Sequence, residues 1–243
     1  MPEHEPWLTA LFNDHLAGVA NAALALFGQK TVERPWSTAL ATEIVVVAII
    51  VLFFAFLRSR LSMDRPGKLQ QSVEVIYDFL YAQSEEQVGH AGPQHLVLFG
   101  TLFIFILCCN LIGIIPAFES PTMSPEVPLG CALVTLAYYN FMGVREHGVG
   151  KYLAHFAGPI WWMAPLMIPI EIVSHLARPL SLTVRLFANM YAGEQVTLAF
   201  LGVTYLVAPA IFMGLHVFVS FLQAYIFALM AMMYVNGAVA HDH

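Results

Sequence analysis

Residues 178–194 read Arg178-Pro-Leu-Ser-Leu-Thr-Val-Arg185-Leu-Phe-Ala-Asn-Met-Tyr-Ala-Gly-Glu194 and set three charges inside an apolar stretch running from about Pro159 to Val207. A charged side chain near a bilayer midplane costs at least ~2.5–3.5 kcal/mol, so such residues face protein or water and mark ion paths. Helical geometry sorts them: positions seven or fourteen apart share a face, and positions nine apart oppose. Glu171, Arg178 and Arg185 therefore lie on one side, joined by Asn189, while Glu194 points the other way. In the next apolar segment His216 and Gln223 are seven apart and also share a face.

The two segments are expected to meet at a turn around Thr204 and Tyr205, with Pro209 opening the second helix. In an antiparallel hairpin, residues equidistant from the turn come level. Glu194 is then set beside His216, and Arg185 beside Gln223. A carboxylate next to an imidazole can hold and pass on a proton, because burial moves both into reach of neutral pH. A guanidinium stays protonated, so Arg185 is a fixed positive charge and not a relay. Gln223 can accept its hydrogen bonds without neutralising it. Other polar residues have plainer readings. Arg178, followed by Pro179, reads as a snorkelling residue near the cytoplasmic interface. Ser174 and His175 read as interhelical hydrogen-bond partners, and His95 and His155 as interfacial residues at span ends. Arg185 differs, having no acidic residue three or four positions away.

The elements that must carry these residues are membrane helices. Of 243 residues, 59% are hydrophobic and only 11% charged, against roughly 25% charged in soluble domains. The chain reads as all-α and polytopic, a single membrane domain of about five membrane-embedded helices. Segments 37–57, 95–115 and 128–143 are read as spans, and 159–235 as a long helical hairpin. About 20 apolar residues cross a bilayer, so the 159–203 arm must be strongly tilted, broken at Pro165, Pro169 or Pro179, or both. Segment 64–90 carries apolar residues at Leu69, Val73, Ile76 and Leu80 and reads as an amphipathic helix on the interface. Residues 1–36 form an extracytoplasmic segment in which 14–27 can make a short surface helix, and the start lacks the features of a signal peptide.

Arg58, Arg60, Arg65 and Lys68 follow the first span, Arg145 and Lys151 follow the third, and 116–128 holds no Lys or Arg. The positive-inside rule then puts the N-terminus outside and the C-terminus in the cytoplasm. A formal charge of −6 gives no sign of a nucleic-acid partner. Cys108, Cys109 and Cys131 lie in apolar stretches and read as packing residues, with no metal site or cofactor expected.

The order of residues from Arg185 resembles one family. Arg185-Leu-Phe-Ala-Asn189-Met-Tyr-Ala-Gly193-Glu194, preceded by Pro179-Leu-Ser181-Leu, is similar to the Arg-Leu-Phe-(Gly/Ala)-Asn-Met-(Tyr/Phe)-Ala-Gly-(Glu/His) motif of the a subunit of rotary F-type ATP synthases. Leu222-Gln223-Ala-Tyr-Ile-Phe227 with His216, and Asn110-Leu-Ile-Gly-Ile-Ile-Pro116, match two further segments in the same order. Ala188 departs from the glycine of many members. The resemblance covers residue 40 to the C-terminus. It implies a stator packed against a ring of c subunits and joined by peripheral-stalk b subunits. Two offset half-channels would reach a ring carboxylate, with Arg185 between them and the last two helices lying steeply tilted along the ring. It implies ion-translocating roles for Arg185, Glu194, His216, Gln223, Asn189, Glu171 and Ser181. The coupling ion, H⁺ or Na⁺, would be chosen by the ring.

Rival readings are weaker. Secondary transporters usually contain two related halves, and residues 1–150 hold no copy of the 159–235 hairpin. There is no HExxH-type motif for a metalloprotease, no histidine pairing suited to haem, and no nucleophile–base pair or nucleotide loop for catalysis by this chain alone.

Overall fold

A computed structural model of the chain describes residues 6–26, 28, 30–62, 66–115, 118–150, 152, 164–201 and 207–239. Among them the regular structure is entirely helical. The helices are α1 (Trp7–Leu26), α2 (Thr38–Ser59), α3 (Lys68–Val88), α4 (Leu96–Ile112), α5 (Glu126–His147), α6 (Ala164–Leu201) and α7 (Val207–Val239), with 3-10 turns at Gly89–His95 and Pro121–Met123. Four stretches are long and apolar enough to cross a membrane: Thr38–Ser59, Gly92–Ile112, Glu126–His147 and Ala210–Val239. Helix α6 falls outside that group because Glu171, Arg178, Arg185 and Glu194 interrupt it, yet it packs against both α5 and α7.

Local chemistry explains the boundaries. Ser37 caps α2, its hydroxyl accepting from the Leu40 amide at 3.3 Å, which satisfies one of the orphan donors of the first turn. Helix α1 is longer than the 14–27 segment expected. Two asparagines tie it to the strand of chain that follows: Asn13 makes paired bonds with the Trp36 backbone (3.3 and 3.0 Å), and Asn21 does the same with Val32 (both 3.0 Å). Helix α5 has 22 residues where the sequence suggested a short span. The interfacial segment forms α3, which docks its C-terminal half on the bundle. Leu80 is buried, Phe79 packs on Tyr225 at 5.4 Å, and the Tyr225 hydroxyl donates to Gln83 at 2.8 Å.

One proline expectation needs correction. Helix α6 is continuous through Pro169 and Pro179 and is not broken at either. A proline removes one backbone bond, and neighbouring helices can hold such a helix together inside a bundle; Pro179 is itself buried. His95 stands near the end of its span, as expected. It is buried at the start of α4, with Nδ1 2.8 Å from the Tyr138 hydroxyl of α5. The expected turn at Thr204 and Tyr205, the start of the hairpin at Pro159, and His155 lie outside the described residues.

The core is shared by α4, α5, α6 and α7. Phe99, Phe103 and Ile106 meet Ala132 and Tyr139, Leu182, Leu186 and Met190, and Ala224, Ala228, Ala231 and Met232. The alanines on α7 are virtually inaccessible, and small side chains of this kind let membrane helices approach closely. This packing fixes how α6 and α7 face one another. Cys109 and Cys131 are buried, and none of the three cysteines is in a disulfide.

Candidate functional site

Below the alanine-rich contact, α6 and α7 separate enough to leave a cavity of about 560 Å³. Arg185, Asn189 and Gly193 line it from α6, and His216, Val219 and Gln223 from α7. Ala192, Val196, Leu215 and Leu222 make the rest of the lining apolar, and the space is open on one side, with these residues exposed along its edge.

Gln223 is 4% exposed, and its Oε1 accepts from Asn189 Nδ2 at 3.0 Å. The partner of Gln223 is thus Asn189, one turn from Arg185, while Arg185 and Gln223 line the same cavity. Arg185 is half-buried, and among the described residues no carboxylate comes within ion-pair distance of it. It is a guanidinium presented to a cavity, with no counter-ion among the described residues.

The Glu194–His216 register is offset by one residue. It is Gly193 that abuts the imidazole: a Cβ built there would stand 3.1 Å from His216 Nδ1. The absent side chain is what admits the ring. Glu194, one residue and about 100° further round the helix, makes no ion pair with His216 and is not in the cavity lining. It lies instead within electrostatic range of Glu119, in the segment between α4 and α5. Level counting predicts height along a hairpin but not rotation about each axis, which explains the offset.

A second polar cluster occupies the other reach of α6. Glu171 Oε1 lies 3.9 Å from Arg178 Nη2 and 3.5 Å from His175 Nδ1. The Arg178 guanidinium sits 5.8 Å from the Tyr139 ring and 5.4 Å from the Tyr234 ring, both distances compatible with cation–π attraction. Glu171 and Arg178 share a side of the helix as the spacing required. Ser181 is exposed, one turn before Arg185, and does not line the cavity. The tyrosines that flank Arg178 come from α5 and α7 and carry no sequence signal of their own. Glu119 was equally invisible, being one acidic residue in a loop.

A third feature lies behind α7. Thr122 donates to Asn110 Oδ1 at 2.6 Å, Ser120 bonds Thr122 at 2.7 Å and the Cys109 carbonyl at 2.8 Å, and Asn110 Nδ2 reaches the Ser220 carbonyl at 3.4 Å. Asn110 belongs to one of the three segments singled out in the sequence, but its partners were not readable there. Among the described residues no three His, Cys, Asp or Glu side chains are grouped to hold a metal ion.

The sequence model of the family described as ATP synthase A chain matches residues 40–236. The chain is 64% identical over 233 residues to ATP synthase subunit a of Solibacter usitatus, covering 96% of this chain and 100% of the relative. It is 48% identical over 242 residues to ATP synthase subunit a of Koribacter versatilis, covering 99% of each. ATP synthase subunit a 1 of Syntrophotalea carbinolica is 41% identical over 198 residues, covering 82% of this chain and 84% of the relative.

Proposed function

Because the chain belongs to the ATP synthase A chain family, we propose that it is the stator of a proton-driven rotor, with Arg185 as the fixed charge between two offset half-channels. The observation that carries this reading is the cavity in which Arg185 stands without a carboxylate partner among the described residues. A guanidinium left unneutralised beside an apolar lining favours a mobile carboxylate supplied from outside the chain. A ring of c subunits, each bearing one mid-membrane carboxylate, would supply it.

The electrostatics then order the steps. A ring carboxylate facing lipid is costly unless protonated. Opposite Arg185 it favours ionisation, since a nearby positive charge stabilises the anion. It releases its proton to one half-channel on approach and takes another from the second half-channel after passing. Arg185 also repels protons that would cross directly. Each charge moved across the membrane is worth ~2.3 kcal/mol per 100 mV. Glu194, His216, Asn189 and Gln223 belong to the extracytoplasmic side of this path and to the Arg185 layer, Glu171 and Ser181 to the cytoplasmic side. The coupling ion, H⁺ or Na⁺, is set by the ring.

The length of α6 supports a tilted placement. Its 38 residues make a rod of about 57 Å at ~1.5 Å per residue, nearly twice the ~30 Å hydrocarbon thickness. Steep tilt along a ring accommodates it. The ends of α2 and α5 carry Arg58, Arg60 and Arg145, which favours a cytoplasmic location for both and an N-terminus outside. Peripheral-stalk b subunits would hold the assembly against rotation.

The test is Arg185→Ala in membrane vesicles carrying the whole ATP synthase. ATP-driven proton pumping falls to background, with a passive leak where the barrier has gone. Near-normal pumping by an assembled Arg185→Ala complex would overturn the stator role assigned to this residue.

A further inference from the structure

Helix α1 takes no part in the cavity, and its two sides differ. Thr9, Asn13 and Asn21 fall on one side of it at ~100° per residue, and each bonds the chain that leads into α2. Thr9 Oγ1 donates to Thr38 Oγ1 at 3.2 Å, and the two asparagines hold the backbone at Trp36 and Val32. Trp36 donates through Nε1 to the Leu16 carbonyl at 3.0 Å and packs edge-on against Phe12 at 5.6 Å. Across from that side stand Trp7, Leu11 and Val19, exposed by 55%, 47% and 63%. His15 is the polar exception on this face.

The ends of the spans fix the level of this helix. Thr38 is the first residue of the α2 span, and it is met by the first turn of α1. Trp7, in the same turn, packs edge-on against Phe118 with ring centres 5.8 Å apart, in the segment that joins α4 to α5. Helices α2 and α4 are apolar spans and α3 between them is not, so two crossings return the chain to the surface from which α2 set out. Both contacts of the first turn of α1 thus lie at one membrane surface. An apolar face at that level has lipid to enter, and indole is a side chain that favours the headgroup boundary.

We infer that α1 lies along the lipid interface at this surface, with Trp7, Leu11 and Val19 immersed at the acyl boundary. The inference goes beyond the stator reading and does not depend on it. Interfacial helices commonly attract anionic lipid with Lys and Arg on the polar face, and α1 has neither. Its tether to α2 supplies the proximity instead, since a linked module meets its partner at high effective concentration. Apolar contact is left to set the depth. The ligand is accordingly the bilayer interface itself and no particular headgroup.

The experiment uses the complete ATP synthase in phosphatidylcholine vesicles, with Cys108, Cys109 and Cys131 replaced by alanine and no reactive cysteine elsewhere. Leu11→Cys, Val19→Cys and Asp14→Cys each carry a nitroxide. Its collisions with O₂, which concentrates in hydrocarbon, and with a water-soluble Ni²⁺ chelate are read by electron paramagnetic resonance. Asp14 borders the apolar face and marks the water side. An immersed face raises the O₂-to-chelate ratio at 11 and 19 at least about threefold above that at 14. Adding anionic lipid changes these ratios by less than about twofold. Equal ratios at the three positions, with the chelate reaching all of them, overturn the inference, because the helix then stands in water. Low collision with both reagents at 11 and 19 overturns it by revealing a protein partner on that face. Immersion that needs anionic lipid overturns the apolar mode. None of these readings involves pumping, so the stator proposal stands or falls separately, at Arg185→Ala.

Discussion

Arg178 and Arg185 stand two turns apart on the same side of α6, and their surroundings could hardly differ more. Arg178 has a carboxylate at 3.9 Å and an aromatic ring on either flank. Arg185 has neither; it borders a cavity with an amide pair beside it. One cation has a carboxylate partner, and the other, among the described residues, has none. The same side chain is therefore engaged by protein groups at one level and, in the function proposed above, free to act as a fixed charge two turns away. What separates them is the company each keeps: Glu171 one way along α6 with Tyr139 of α5 and Tyr234 of α7 around Arg178, and the Asn189–Gln223 pair beside Arg185.

The largest expected effect breaks the comparison at Arg185. Arg185→Lys keeps a nominal charge but loses the wide planar fork, and lysine can shed its proton when desolvated. ATP-driven pumping in vesicles falls to background despite normal assembly. Lysine that pumped at near-normal rates would mean that any positive charge suffices. Arg178, already engaged by Glu171, does not substitute.

Next in size is a transfer of the charge across the cavity. Arg185→Gln alone abolishes growth on a non-fermentable substrate, and adding Gln223→Arg restores part of it. Position 223 lines the same cavity, so the guanidinium re-enters the layer from the other helix. Rescue stays partial because neighbouring positions couple non-additively. A double variant as inactive as the single one, though assembled, would show that the backbone from which the charge is offered matters as much as the charge.

Gly193→Ala should act less strongly. The new Cβ would meet His216 Nδ1 at 3.1 Å, closer than ordinary contact, so the ring or α7 must yield by a few tenths of an ångström. Proton pumping drops severalfold without uncoupling, and Gly193→Ala with His216→Ala recovers no worse than His216→Ala alone. A loss in the double variant much beyond either single one would place the clash elsewhere.

The smallest effect is at Arg178. Arg178→Met keeps the stem between the two tyrosines while removing the charge. The pair it breaks is about one-third exposed on each side, and such pairs contribute only ~0–1 kcal/mol. Pumping stays within about twofold of normal, with a modest loss of thermal stability of the detergent-solubilised complex. Abolished pumping would erase the distinction between the two arginines.

Much of this molecule follows from the chain alone. Apolar runs long enough to cross a bilayer specify α2, α4, α5 and α7, because lipid leaves the backbone no partner except itself. Charges in α6 single it out as the helix proposed to line an ion path, since a charge at membrane depth is costly. Distance from the hairpin turn correctly sets Arg185 and Gln223 on one cavity. Rotation about the helix axes was beyond such counting. Whether Gly193 or Glu194 meets His216 depends on how Ala224, Ala228 and Ala231 seat α7 against its neighbours. The pairing of Arg178 with Tyr139 and Tyr234, and of Asn110 with Thr122 and Ser220, joins residues from helices far apart in sequence. Periodicity assigns a residue to a face; only the packed bundle decides what that face touches, because side-chain contacts depend on shifts of a few ångströms that no local pattern encodes.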